Sequence, residues 1–158
     1  MIIRKAVKED ARLIIQAHIR SIREVCSSEY TVEQVKAWSG RDFQVSRWQQ
    51  TMDHDHVWVI SNDQKEIFGF GHLSFPTEEE AYLAGLYFVP EVIGLGFGKQ
   101  MMELMLNEVN KRQTKMIKLN ATKTALKFYL KAGFSVDETS FIMMSDQKID
   151  CINMHLQL

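Results

Sequence analysis

The chain is short of the residues that staple, divide or charge a protein. Its 158 residues include two cysteines, Cys26 and Cys151, and two prolines. Two cysteines so far apart, with no ligand spacing around them, give neither a disulfide scaffold nor a metal site. They read as reduced, buried thiols. Scarce proline and the lack of any repeat or low-complexity stretch leave no linker, so residues 1–158 read as a single domain. Charge of one sign is missing too. There are 19 Lys and Arg against 20 Asp and Glu, evenly spread, which excludes the basic stripe of a nucleic-acid surface. No apolar run approaches the roughly 20 residues of a membrane span. The opening MIIRKAVKED has no long apolar region after its charges and does not read as a secretory signal. The expectation is a cytoplasmic protein, monomer or homodimer, with no nucleic-acid or membrane partner.

Glycine is scarce as well, and its distribution is therefore informative. Three of the eight glycines, Gly94, Gly96 and Gly98, take alternate positions in VPEVIGLGFGKQMM, residues 89–102. Backbone that bare can take φ > 0 and can be approached closely by another molecule.

Around that stretch the patterning alternates between helix and strand. Residues 2–6 read as a first strand, and Asp10 stands where it can cap a helix running to about Val25. Thr31-Val32-Glu33-Gln34 is a capping box for a short helix carrying Val35 and Trp38, and residues 43–52 are a weaker helical stretch. From His56 the period changes, and residues 57–60, 67–73 and 81–89 read as strands. After the glycines, Met102, Met105, Leu106 and Val109 mark one face of a helix over 99–112. Residues 116–119 form a strand and 125–132 a short helix ended by Gly133, with 141–144 and 151–158 as a closing hairpin. The order is that of an α/β domain on one central sheet.

Three phosphate-binding loops compete for the glycines. A Walker loop needs glycine where Ile93 stands and a hydroxyl where Gln100 stands. The dinucleotide fingerprint needs its third glycine at Lys99 and a place near the start of a βαβ unit. Both fail. What remains is a strand, a bulky apolar turn, alternate glycines and a helix, whose amides from about Leu95 to Lys99 converge on an anion at the positive helix end.

Leu86-Tyr87-Phe88-Val89-Pro90, running into Glu91-Val92-Ile93-Gly94-Leu95-Gly96-Phe97-Gly98-Lys99, resembles the acetyl-CoA-binding motif of the GNAT superfamily of N-acetyltransferases. Downstream, Ala125-Leu126-Lys127-Phe128-Tyr129-Leu130-Lys131-Ala132-Gly133-Phe134 is similar to a second segment of that family, in family order. With the N-terminal Ile-Arg-x-Ala start, the resemblance covers nearly the whole chain. It implies the GNAT fold: a central mixed, mostly antiparallel twisted sheet of six to seven strands, flanked by about four helices. It also implies acetyl-CoA as co-substrate and no metal. Leu95, Gly96, Phe97, Gly98 and Lys99 become the pyrophosphate cradle, and Leu86 and Phe88 the backbone partners of the acetyl group and pantetheine. Ile93 replaces the family's usual Gln or Arg, so the amides act without a polar side chain there.

The activity so implied is transfer of an acetyl group to a primary amine of a small molecule or peptide; the alternative is a non-catalytic acyl-CoA sensor on the same fold. Tyr129 matches the family tyrosine that protonates the leaving thiolate, with Phe128 anchoring the core while the phenol turns outward. The base stays open, because residues 81–85 of the preceding strand hold no acid. His72, His18, Glu80 and relayed water are the alternatives. The acceptor pocket of this fold draws on the first helices, where His18, Ser21, Tyr30 and Trp38 cluster, and His72 joins them as a pocket residue.

Overall fold

The computed structural model describes residues 1–158. Seven strands, β1 (Ile2–Lys5), β2 (His56–Ser61), β3 (Ile67–Ser74), β4 (Glu80–Phe88), β5 (Met116–Thr122), β6 (Ser135–Met144) and β7 (Gln147–Gln157), form one sheet in the order β1-β2-β3-β4-β5-β7-β6. Every neighbouring pair is antiparallel except β4 and β5. Five α-helices accompany it: α1 (Ala11–Glu24), α2 (Val32–Ser39), α3 (Val45–His54), α4 (Phe97–Lys111) and α5 (Leu126–Lys131). The mixed, mostly antiparallel sheet is as expected, with one α-helix more than the four or so anticipated.

The two faces of β3 divide the molecule. Side chains alternate along a strand, so Gly71 faces α4 while Phe70 and His72 face α1 and α3. A Cβ at Gly71 would collide with Met101 and Met105 of α4, so the absence of a side chain there lets α4 lie close to the sheet. Opposite, the Phe70 ring meets His18 of α1 and Trp48 of α3. The main core gathers Val57, Val59, Phe70, Leu73, Met101 and Met105. A smaller cluster of Ile22, Cys26, Tyr30, Trp38 and Ile149 joins α1 and α2 to β7.

Two local expectations are corrected. Asp10 does not cap α1. Its carboxylate accepts from the Val7 N–H at 2.9 Å and takes both guanidinium nitrogens of Arg4 at 2.7 and 2.9 Å, so it ties β1 to the helix entry instead. The closing hairpin is far longer than the apolar pattern indicates. β6 starts at Ser135 because its polar, exposed stretch pairs with β7 at the sheet edge, where no face needs an apolar residue. The capping box at Thr31 and Gln34 forms as expected.

Candidate functional site

One half of the site is backbone. β4 and β5 pair in parallel from Glu80 with Met116 to Leu83 with Leu119, and there the pairing ends. Ala84 is the extra residue of a bulge, since His72 opposes Gly85 while Leu73 opposes Leu83. A bulge bends its strand, and beyond it β4 follows β3 alone. The Val89 N–H donates to the Phe68 carbonyl on that side at 2.9 Å. Backbone groups alternate sides along a strand, so Leu86 and Phe88 turn theirs toward the space β5 has left.

The helix α4 starts at the mouth of this gap. Gly94 and Gly96 sit at φ 81° and 85°, where a side chain is costly. Gly98 is needed for space: a Cβ there would lie 3.1 Å from Phe128 and 3.4 Å from Phe88. The Gln100 N–H donates to the Gly96 carbonyl at 3.1 Å, while the N–H groups of Gly96, Phe97, Gly98 and Lys99 find no partner in the chain. No acid stands in the first turn of α4. Four adjacent free donors at the positive end of a long helix are the arrangement that suits an anion. The Leu95 N–H departs from this set, turning back to the Val92 carbonyl at 3.4 Å.

The other half is built from side chains. A cavity of about 400 Å³ opens where the strands part, with Ala84, Gly85, Asn120 and Thr122 on its floor. His72 Nε2 lies 2.7 Å from Oδ2 of Asp55, the residue that ends α3, and this contact fixes the ring on the cavity wall. His18 is 4% exposed, with ring centroids 5.3, 5.2 and 4.1 Å from Phe43, Phe70 and Tyr87. Neither of its ring nitrogens has a partner. Burial, helped by the charge of Arg41, lowers its pKa to about 3, so the ring is neutral. The Tyr30 hydroxyl is fully used, donating to the Asp150 carbonyl at 2.6 Å and accepting from the Lys123 N–H at 3.0 Å. Burial pushes its pKa up to about 12.

His18, Tyr30, Trp38 and His72 all line this cavity. Ser21 does not; it is buried on α1 outside the lining. Glu80 is held by Lys118 at 2.6 Å, at the end of β4 where the strands are still paired. Trp38 is 4% exposed and packs edge-on against Tyr30, so it is a core residue that also touches the cavity. The expected arrangement of Phe128 and Tyr129 is reversed. Phe128 is half-buried against the glycine loop, whereas Tyr129 is buried, its ring edge-on to Phe128 and Phe134. The Tyr129 hydroxyl has no hydrogen-bond partner yet is not sealed off. Burial, with the Tyr82 phenol nearby, raises its pKa well above the ordinary value and keeps it protonated. Sequence reasoning missed Asp55, Arg41, Arg47 and Asn120. Asp55 becomes visible only through the β2–β3 pairing, which opposes His56 to Leu73 and so carries His72 alongside it.

The family model of the acetyltransferase (GNAT) domain matches residues 26–158. No curated protein matches the sequence. Among solved structures, a GCN5-related N-acetyltransferase from Rhodopseudomonas palustris has a TM-score of 0.87 at 17% identity, over 99% of this chain and 95% of that one. The PaiA N-acetyltransferase from Thermoplasma acidophilum, solved with coenzyme A, has a TM-score of 0.81 at 19% identity, over 99% and 98%. The yncA protein of Salmonella typhimurium, solved with its cofactor acetyl-CoA, has a TM-score of 0.74 at 15% identity, over 99% and 93%. At such identities the likeness is one of fold.

Proposed function

Because the chain belongs to the GNAT acetyltransferase family, we propose that it is an N-acetyltransferase that moves the acetyl group of acetyl-CoA to a primary amine of a small molecule or peptide. The observation that carries this reading is the row of partnerless amides from Gly96 to Lys99 beside the free strand edge at Leu86 and Phe88. The residues fit the cofactor. The anion site is backbone, no acid opposes it, and the space over the loop is open: a Cβ at Gly94 would meet nothing within 4 Å, and one at Gly96 only Gln100 at 3.9 Å.

Acetyl-CoA, when bound, supplies an acetyl group activated as a thioester. The amides of Gly96 to Lys99 hold its pyrophosphate, and the backbone of Leu86 and Phe88 holds the pantetheine arm. Fixing both reactants contributes several kcal/mol by itself, of the roughly 7–11 available to well-oriented groups. His72 is the base. With Asp55 accepting from Nε2–H, the neutral ring keeps its lone pair on Nδ1, which takes the proton the amine gives up as the amide bond forms. Tyr129 Oη donates to the sulfur as the carbon–sulfur bond breaks, and solvent returns its proton. The His72–Asp55 pair favours the enzyme over a sensing module, for which an oriented base on the cavity wall has no use.

Calorimetric titration with CoA and an assay of thiol release from acetyl-CoA over a panel of amines test the reading. CoA binds and at least one amine gives steady release. His72→Gln lowers kcat by about a hundredfold, the low end for general base catalysis, with CoA affinity unchanged. Failure to bind CoA overturns the reading. Binding without release from any amine replaces the enzyme with the sensor.

A further inference from the structure

The arginines of this chain divide by their partners. Arg4 is held by Asp10, Arg20 by Glu24 and Glu91, Arg23 by Ser39, and Arg112 by His56 and Glu108. Arg12, Arg41 and Arg47 have neither an ion pair nor a side-chain hydrogen bond; Arg12 is exposed on α1 outside the cavity, whereas Arg41 and Arg47 both line the 400 Å³ cavity. Arg41 follows α2 and lies over the Phe43 ring, 4.5 Å from its centroid, while Arg47 stands in the first turn of α3. Both residues are exposed; partial desolvation disfavours the Arg41 charge, and the Arg47 charge opposes it further.

The surroundings do not neutralise them. Asp150 is taken by Lys123 at 2.8 Å, and the Asp42 carboxylate accepts from Gln44 Nε2 at 2.9 Å without reaching either guanidinium. The N-terminus of α3 points the same way. Gln44 gives it no side-chain cap and its first turn holds no acid, whereas α2 is closed by Thr31 and Gln34. A third observation is independent of charge. The ring nitrogens of His18, buried in the same cavity, and the Asn120 Oδ1 on its floor have no partners. Buried polar groups are ordinarily satisfied, so the cavity wall holds unpaired polar atoms, closed off from the cavity itself in this conformation.

We infer that the acceptor is a small amino acid-like molecule, whose carboxylate is gripped by Arg41 and Arg47 while its amine lies toward His72 at the parting of β4 and β5. This rests on the acetyl-transfer reading for the fate of the amine, but not for the grip on the carboxylate. Arginine suits that task because its planar fork meets both oxygens of a carboxylate. A volume of about 400 Å³ falls at the small end of ligand cavities, which suits a single amino acid better than a long peptide.

The test uses matched pairs that differ only in the carboxylate: phenylalanine with phenethylamine, lysine with cadaverine, and 4-aminobutyrate with propylamine. Phosphoethanolamine is added as the phosphate counterpart and spermidine as a polycation. Thiol release gives kcat/KM for each. In parallel, with CoA present, tryptophan fluorescence, to which Trp38 and Trp48 on the cavity contribute, reports binding without turnover. The carboxylate member of at least one pair leads its partner at least tenfold in kcat/KM, or alone gives a saturable fluorescence change. Arg47→Gln and Arg41→Gln each reduce that preference to within about threefold, with CoA affinity unchanged. Equal response within every pair, no response from any member, or a lead for spermidine overturns the proposal. A lead for phosphoethanolamine overturns the carboxylate and assigns the arginines to phosphate. Absence of CoA binding overturns the acetyl-transfer reading instead, and the fluorescence titration without CoA then decides the carboxylate site by itself.

Discussion

On the α4 side of the site the unpaired groups are backbone amides, Gly96 to Lys99, at the open end of a helix. On the α1–α3 side they are side chains: His18 and Asn120 sealed inside, Arg41 and Arg47 at the cavity. The two cost the folded chain differently. Amides that face water are hydrogen-bonded by it and wait for an anion at little expense. A sealed polar group loses its hydration without replacement, at about 1–3 kcal/mol. The first half is therefore a general device that any sequence with glycines in the right places can build. The second stores a cost within the fold, and the proposed selectivity rests on the side chains that the cavity does reach, Arg41 and Arg47.

Breaking the backbone half has the largest expected effect. Gly96 sits at φ 85°, and valine there incurs the left-handed penalty of about 1–2 kcal/mol, with more for its branched Cβ. The valine side chain also stands among the amides proposed to receive the anion. Gly96→Val weakens CoA binding about a hundredfold in calorimetry, equivalent to about 2.7 kcal/mol, while thermal unfolding stays cooperative. An unchanged affinity would show that the loop amides are not the cradle. Amine binding followed by tryptophan fluorescence without CoA stays near that of the parent, because the other half is untouched.

Breaking the side-chain half shows first in stability. As pH falls below 6.5 the unfolded chain protonates His18, whereas the folded chain does not until about pH 3. The unfolded state thus binds more protons in that window, so stability falls as pH falls from 6.5 toward 3. Between pH 7 and pH 5 this one residue costs about 2 kcal/mol, at 1.36 kcal/mol for each pH unit below 6.5. For a chain of this size that is about 4–8 °C in Tm. His18→Leu leaves the site apolar among Phe43, Phe70 and Tyr87 and removes the slope. Measured by melting at pH 7 and pH 5, the variant loses less Tm than the parent by that amount. Parallel losses would mean that water reaches His18 and protonates it in the folded state.

The same contrast explains what could be read from the residues alone. The backbone half lies within one stretch, residues 86–99, where the alternate glycines and the following amphipathic helix declare a loop and an open helix end together. The side-chain half is assembled from α1, the α2–α3 connection, β3, β5 and β7, so its parts meet only when the sheet forms. His72 reads as one histidine in an apolar run until strand pairing brings Asp55 beside it. Arg41 and Arg47 look like any surface arginines until the lack of partners is seen. The polar start of β6 carries no strand pattern for a related reason: an edge strand needs no apolar face. Ser21 is the converse case: helical spacing puts it near His18, but it is not among the residues that line the cavity.

Tyr129 lies at the seam and gives the smallest and sharpest test. By chain position it belongs to the backbone half, on α5 next to Phe128, which packs against Gly98. Its phenol, however, senses that of Tyr82 and is sensed by that of Tyr87, and both of these tyrosines line the cavity. Burial keeps the hydroxyl protonated throughout the working range, and no group in the chain accepts its hydrogen bond, so it is free to donate to a leaving sulfur. General acid catalysis contributes about 10²–10⁴-fold where the leaving group is poor. A thiolate leaves well with little help, so the expectation lies below that range. Tyr129→Phe keeps the ring in its buried place between Phe128 and Phe134 and removes only the donor. Thus kcat at saturating acetyl-CoA falls about tenfold, with CoA affinity and amine KM nearly unchanged, the pattern of an interaction made only in the transition state. A Phe variant that turns over like the parent assigns Tyr129 to packing and leaves the thiolate's proton to water.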